Sequence, residues 1–129
     1  MLAGRCFLVA EDNAINAEIL CELLQMYGAR SVLKTDGAQA VQAFQSAAPG
    51  TFDAILMDIQ MPKMNGYQAT RMIRGMDRED AGRIPIIAMT ANAFAEDIQL
   101  SRDAGMDEHV AKPIDIQVLW TTLSRLLEN

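Results

Sequence analysis

Four short apolar runs in the sequence each end at, or lead directly into, a side chain that can do chemistry. These side chains are an adjacent pair of carboxylates, a third carboxylate, a hydroxyl and an ammonium group: Glu11, Asp12, Asp58, Thr90 and Lys112. Apolar runs of this length are typical of buried parallel strands. Because the carboxyl ends of parallel strands lie along one edge of a sheet, where ligands bind, we expect the five side chains to meet there.

Three carboxylates at one place repel one another, so the arrangement needs a cation. Carboxylate oxygens are hard ligands, and they suit Mg²⁺ better than a softer metal. A magnesium ion held in this way keeps several waters and takes phosphate oxygens as further ligands. The residue types therefore predict Mg²⁺ as the cofactor.

Strand-like and helix-like segments alternate five times along the chain, which is the pattern of a doubly wound α/β sheet. Asn13 and Asp115 are placed to begin helices, and Gly28 and Gly105 to end them. The predicted strands cover 6–10, 31–35, 54–58, 84–89 and 109–111. The predicted helices cover 14–26, 38–47, 66–76, 95–104 and 116–127. With 129 residues, we expect one domain over residues 1–129.

Two local predictions concern surfaces. Helical spacing places Leu20, Leu23 and Tyr27 on one apolar face of the first helix, together with Asn16. The charged segment 77–82 is interpreted as a solvated connection.

These motifs closely resemble those of the receiver domain of two-component response regulators. The resemblance rests on the acidic pair, on Asp58 followed by Met61-Pro62 and Gly66, on Thr90 and on Lys112-Pro113, and it covers nearly the whole chain. Each motif alone is weak, but their order and spacing together are highly specific. The resemblance implies a flavodoxin-like (βα)5 domain with a parallel sheet of order 2-1-3-4-5 and helices on both faces.

The resemblance also implies the role of each site residue. Asp58 is the phosphoacceptor, and a carboxylate needs no activating base because it is already ionised at neutral pH. Asp12 and Asp58 bind Mg²⁺ directly, Glu11 acts through water, and the backbone carbonyl of Gln60 adds a ligand. Lys112 and Thr90 cover the remaining phosphoryl oxygens, as phosphoryl transfer requires.

Further positions carry regulatory expectations from the same resemblance. Thr90 and an aromatic residue three before the lysine form the usual switch, but His109 occupies the aromatic position, where it can act as a smaller rotor or stay outward in solvent. Gln60 and Asn92 stand where the phosphoryl lifetime is tuned. The Lys112–Pro113 bond is expected to be cis.

The motifs look most like receivers at the C-terminal end of hybrid sensor histidine kinases. The expected partner is a histidine kinase or a histidine phosphotransfer domain. Ile15 is a candidate apolar docking contact, with partial burial in the core as the alternative. The expected location is cytoplasmic, including the cytoplasmic part of a membrane-bound sensor kinase.

Bulk properties argue against several partners. A net charge of −6 and a pI near 4.6 disfavour nucleic acid, which needs a concentrated basic surface. The sequence has no apolar run of membrane-spanning length and no signal-peptide pattern. Cys6 and Cys21 show no metal-binding spacing, which suits a reducing cytoplasm.

Other functions remain as alternatives. A free-standing single-domain response regulator and a non-phosphorylated interaction module share the expected fold. An aspartyl-phosphate phosphatase or mutase usually has a second Asp two residues after the first, where this chain has Gln60. A flavodoxin-like flavin binder would need a phosphate-cradling loop after the first strand, and Glu11 and Asp12 would repel that phosphate.

Overall fold

The computed structural model describes residues 3–91 and 95–127, and for residues 95–97 it describes the backbone alone. These residues form a parallel sheet of five strands in the order β2-β1-β3-β4-β5, which confirms the predicted topology. Within the described residues, no helix is both long and apolar enough to cross a membrane.

Strands and helices alternate throughout the chain. The strands are β1 (Cys6–Ala10), β2 (Arg30–Lys34), β3 (Ala54–Asp58), β4 (Ile86–Thr90) and β5 (Glu108–Ala111). The helices are α1 (Ala14–Met26), α2 (Gly37–Ser46), α3 (Gly66–Arg74), α4 (Ala95–Ala104) and α5 (Ile116–Leu127). The predicted bounds of β1, α1, β3, α4 and α5 are confirmed, and the other elements begin or end one or two residues away from their predicted bounds.

Alternate residues of the three central strands point to opposite faces of the sheet, so each strand contributes to two apolar cores. Leu8 and Ile55 lie in the core covered by α2 and α3. Phe7 and Leu56 lie in the core covered by α1 and α5. Because both faces are covered, β1, β3 and β4 are buried along their whole length, as is typical of a parallel sheet. Their carboxyl ends are therefore held rigidly.

The buried face of α1 differs in part from the prediction. Ala17, Leu20 and Leu24 are buried, whereas Asn16 is exposed. The prediction is confirmed for Leu20, and Leu23 and Tyr27 are half-buried. It was wrong for Asn16, because apolar residues surround much of this helix and Ala17 and Leu24 complete the buried face. Asn13 caps the helix as expected, since its side chain accepts a hydrogen bond from the Asn16 N–H at 3.0 Å.

The charged segment between α3 and β4 is exposed at Asp77, Glu79 and Gly82, but Arg78 anchors it, so its interpretation as merely a solvated connection was wrong. Arg78 donates to the Phe44 carbonyl oxygen at 2.6 Å and to Asp80 Oδ1 at 2.6 Å. Its guanidinium carbon lies 4.2 Å from the centre of the Phe44 ring. Arg78 thus satisfies carbonyl groups at the C-terminal end of α2. Its hydrogen bond is the main reason why the pKa of Asp80 lies below its ordinary value.

Candidate functional site

The predicted catalytic and metal-binding residues lie at the carboxyl edge of the sheet. Register pairs Ala10 with Met57 and Asp58 with Met89, so the residues that follow β1 lie beside Asp58. Thr90 is the last residue of β4 and pairs with Ala111. Lys112, the next residue along, donates its backbone N–H to the Thr90 carbonyl oxygen at 2.8 Å. The sheet register therefore brings all four strand ends together.

Lys112 bridges two buried carboxylates. Its Nζ lies 2.9 Å from Asp58 Oδ2 and 2.8 Å from Glu11 Oε2. Asp58 and Glu11 are each only 2% exposed. The other oxygen of Glu11 accepts the Asn13 N–H at 3.1 Å, which ties this carboxylate to the start of α1. The Lys112 ammonium is thus held in contact with Asp58, the predicted phosphoacceptor.

Burial and the neighbouring charges shift the pKa values of Asp58 and Lys112. Burial raises the pKa of Asp58 to about 7, the Lys112 ammonium works against that rise, and the nearby Glu11 carboxylate adds to it. Burial also opposes the charge on Lys112, but its hydrogen bonds to both carboxylates raise the pKa of this lysine overall. A carboxylate with a raised pKa beside a like charge marks a place where added positive charge is strongly favoured.

Three carboxylates are close enough to share one cation. An oxygen from each of Glu11, Asp12 and Asp58 lies within 4.8 Å of the others. Asp12 is exposed, whereas Glu11 and Asp58 are buried, so the cluster opens to solvent on the Asp12 side. A cleft at this place is also lined by Asn13, Gln60 and Lys112. These oxygen donors suit a hard divalent ion that keeps some of its waters.

The loop after β3 leaves Gln60 beside Asp58. The Gln60 N–H donates to Asp58 Oδ1 at 3.3 Å, and Gln60 borders the cleft. Gly66 begins α3 directly against β3, and a Cβ there would collide with the Asp58 carbonyl oxygen and lie 3.0 Å from the Ile59 Cα. The glycine that carried part of the family resemblance is therefore required by close packing under the site.

The residues predicted to form the switch, Thr90 and His109, lie on the neighbouring strands β4 and β5. Thr90 is buried at the edge of the site. His109 is half-buried on β5, where it pairs with Ala88, and its rotor role stays a prediction. The Lys112–Pro113 bond is cis, as expected. Asn92 lies outside the described residues.

Ile15 is 70% exposed, so the alternative of core burial is wrong. Ile19, one turn later on α1, is also 52% exposed. Ile19, Pro113 and Ile114 line a small hollow that reaches Glu11 and Lys112. We call Ile15, Ile19, Pro113 and Ile114 the apolar rim. Sequence reasoning missed Ile19 and Ile114, although the i, i+4 spacing of Ile15 and Ile19 places them together on one helix face.

Comparison with known proteins decides the family. The response regulator receiver domain family matches residues 7–124 of the chain. The chain belongs to the response regulator receiver family. The match includes all of the five strands except Cys6, and every predicted site residue, so the receiver resemblance found in the sequence is confirmed.

Similar receivers occur within much longer kinases. The peroxide stress-activated histidine kinase mak1 of Schizosaccharomyces pombe is 38% identical over 126 residues, which are 97% of this chain and 8% of the kinase. The hybrid signal transduction histidine kinase L of Dictyostelium discoideum is 43% identical over 108 residues, which are 83% of this chain and 6% of that protein. The chain therefore spans less than a tenth of the length of these two relatives.

A solved receiver structure shares the fold closely. The receiver domain of the sensor histidine kinase PA1611 from Pseudomonas aeruginosa has a TM-score of 0.87 and 39% sequence identity, with 98% of this chain and 100% of that chain covered. That structure has a magnesium ion coordinated in its active-site cleft. The fold of this receiver is therefore that of receivers attached to histidine kinases.

Proposed function

We propose that this receiver accepts a phosphoryl group from a phosphohistidine donor onto Asp58, as one step of a phosphorelay. The observation that carries the proposal is the position of Asp58 between the Lys112 ammonium, 2.9 Å away, and the carboxylates of Glu11 and Asp12. A nucleophile, a fixed cation and a set of metal ligands are the parts that phosphoryl transfer requires.

The transfer is a displacement at phosphorus. An Asp58 carboxylate oxygen forms a bond to phosphorus while the bond from phosphorus to the donor imidazole nitrogen breaks. The electron pair of that bond stays on the imidazole, which then takes a proton from solvent. Lys112 neutralises negative charge on one phosphoryl oxygen, and the Thr90 hydroxyl donates to another. The product is an aspartyl phosphate, which water hydrolyses back to Asp58 and phosphate.

Glu11, Asp12 and Asp58 would hold Mg²⁺, with the Gln60 carbonyl as a further ligand. Mg²⁺ would supply positive charge to the phosphoryl oxygens. The donor set fits this ion, because carboxylate oxygens within 4.8 Å of one another can share one hard cation that keeps its remaining waters. The raised pKa of Asp58 also favours Mg²⁺ binding, since a divalent cation offsets the repulsion between the carboxylates of Asp58 and Glu11.

The apolar rim beside the site is suited to a helical partner that carries the phosphohistidine. Ile15 and Ile19 lie one turn apart on α1 and are exposed, and the hollow beside Ile19 leads to Lys112. A histidine kinase or a histidine phosphotransfer domain, within a cytoplasmic kinase assembly, would bury this patch while its phosphohistidine faces Asp58.

Phosphorylation of the purified protein tests the proposed chemistry. The protein is incubated with acetyl phosphate and Mg²⁺ and its intact mass is measured. We expect the wild type to gain one base-labile phosphoryl group, and Asp58→Asn and samples with excess EDTA to gain none. An unmodified wild type, or a modified Asp58→Asn protein, contradicts the proposal.

Docking is tested with a phosphorylated histidine phosphotransfer domain as the donor. Ile19→Ala should slow transfer from that domain and leave labelling by acetyl phosphate unchanged. Met72→Ala is the matched control, because Met72 is 50% exposed but lies on α3. Equal transfer rates for wild type and Ile19→Ala would remove the apolar rim from the interface.

A further inference from the structure

The loop that joins β3 to α3, residues 59–65, carries Gln60 and docks on the beginning of α2. The Gly37 N–H donates to the Met64 carbonyl oxygen at 3.1 Å. A Cβ at residue 37 would collide with that oxygen and lie 2.9 Å from the Met64 carbonyl carbon. The contact therefore exists only because residue 37 has no side chain.

Two neighbouring contacts strengthen the same junction. The Asp36 carboxylate is buried and caps α2 by accepting the Gln39 N–H at 2.8 Å. Its second oxygen lies 3.9 Å from the Lys63 ammonium. Lys63 has a φ of 66°, a left-handed conformation that non-glycine residues adopt only when the surrounding structure holds them there. The outer half of the loop is thus held in an unfavourable conformation against α2.

The inner half of the loop is fixed to the sheet. The Gly66 N–H donates to the Ile59 carbonyl oxygen at 2.9 Å. The Ile59 N–H donates to the Met89 carbonyl oxygen at 3.2 Å, and the Gln60 N–H donates to Asp58 at 3.3 Å. Between these anchors and the Met64 contact, the loop has little freedom to move the Gln60 carbonyl relative to Asp58.

We propose that Gly37 is a positioning residue for the metal site: by docking the Met64 carbonyl, it holds the Gln60 carbonyl where Mg²⁺ is bound. This inference rests on the proposed function, because it presumes that Mg²⁺ binds at Asp58. Gly37 acts through its contact with Met64 and is not a member of the carboxylate cluster of Glu11, Asp12 and Asp58. Helix propensity alone favours alanine at a helical position, so the glycine reflects the approach of the loop.

The test compares Gly37→Ala with Gly82→Ala. Gly82 is exposed, and a Cβ there meets no atom within 4 Å. Amide hydrogen exchange over residues 60–64 is measured in EDTA, and the Mg²⁺ dissociation constant is measured by calorimetry. In Gly37→Ala we expect faster amide exchange over residues 60–64 and a Mg²⁺ dissociation constant about tenfold higher. Replacing groups that support metal ligands typically weakens metal binding by about 10- to 100-fold, and we expect the lower end of that range. Gly82→Ala should match the wild type in both measurements.

The Leu123→Ala variant distinguishes a general loss of stability from a specific effect on Mg²⁺ binding. Leu123 is buried in the core under α1 and α5, so this variant lowers the free energy of unfolding from the other side of the sheet. It should keep the wild-type Mg²⁺ affinity while folded. An equally weakened affinity in Leu123→Ala, or unchanged exchange and affinity in Gly37→Ala, overturns the positioning role.

The wild type supplies a second measurement if Gly37→Ala does not fold. Mg²⁺ should slow exchange of the Gly37 amide, because a contact that favours metal binding is favoured by the metal in return. The Gly82 amide should not respond. An unresponsive Gly37 amide in a protein that binds Mg²⁺ overturns this inference alone. Failure of the wild type to bind Mg²⁺ overturns the proposed metal site as well.

Discussion

Replacing Asp58 with asparagine should stabilise the protein in the absence of divalent ions. The ionised Asp58 is buried beside the Glu11 carboxylate, and its pKa rises from 3.8 to about 7 because burial and Glu11 outweigh the attraction of Lys112. Asparagine has nearly the same size and carries no charge. Lys112 keeps its ion pair with Glu11, 2.8 Å away, so the substitution leaves that ammonium paired.

The magnitude follows from linkage. A pKa that is higher in the folded than in the unfolded state means that stability is fully present below the unfolded value and is lost as pH rises through the folded value. The shift from 3.8 to about 7 corresponds to about 4 kcal/mol in the limit of a rigid site. Relaxation and water penetration reduce such penalties, so we expect a gain of about 2 kcal/mol above pH 7, or about 8 °C in Tm.

Urea unfolding in EDTA at several pH values measures this gain. The advantage of Asp58→Asn should be small near pH 4, grow up to about pH 7 and then level off. Asp77→Asn is the control, because Asp77 is exposed and its replacement should change the free energy of unfolding by less than about 0.5 kcal/mol at any pH. Mg²⁺ should stabilise the wild type and so reduce the difference in unfolding free energy between Asp58→Asn and the wild type. A variant less stable than the wild type at pH 8, or a gain independent of pH, refutes the reasoning.

Three further predictions concern stability and packing. Arg78→Gln should lower the free energy of unfolding by about 2 kcal/mol at pH 7 in a urea titration. The loss should shrink as pH falls below 4, because the lowered pKa of Asp80 contributes stability only while its carboxylate is ionised. Thr70→Val should raise the unfolding free energy by about 1 kcal/mol, since the buried Thr70 hydroxyl has no hydrogen-bond partner among the described residues; a lower urea midpoint contradicts this. Gly66→Ala should cost about 2 kcal/mol and slow labelling by acetyl phosphate, because its Cβ would collide with the Asp58 carbonyl oxygen; wild-type behaviour in both assays argues against the close packing.

Strand periodicity and strand-end chemistry were enough to predict which side chains meet. Asp58 and Lys112 lie far apart in sequence, yet parallel pairing forces their strands to end on one edge, so their proximity follows from topology. The same logic does not give distances. The bridge from Lys112 to both Asp58 and Glu11 depends on side-chain rotamers and sheet twist, which no sequence spacing encodes.

Local contacts between elements were harder to predict. The charge run around Arg78 is typical of a solvated loop, and its contact with α2 depends on how two distant segments pack. The second helix was predicted to begin at residue 38, but Gly37 is the first residue of α2, and its role depends on the approach of Met64. The buried face of α1 was predicted only in part, with Leu20 right and Asn16 wrong, because apolar residues on several sides of the helix obscure the spacing.

Chemical mapping of the phosphorylated residue tests the central claim most directly. The protein is labelled with acetyl phosphate and Mg²⁺ and reduced with borohydride, which converts an aspartyl phosphate to homoserine, and its peptides are then sequenced by tandem mass spectrometry. We predict homoserine at position 58 alone, and none in the Lys112→Ala variant labelled for the same short time. Homoserine at position 12, or labelling of Lys112→Ala at the wild-type rate, would contradict the account of a nucleophile at Asp58 supported by the Lys112 ammonium.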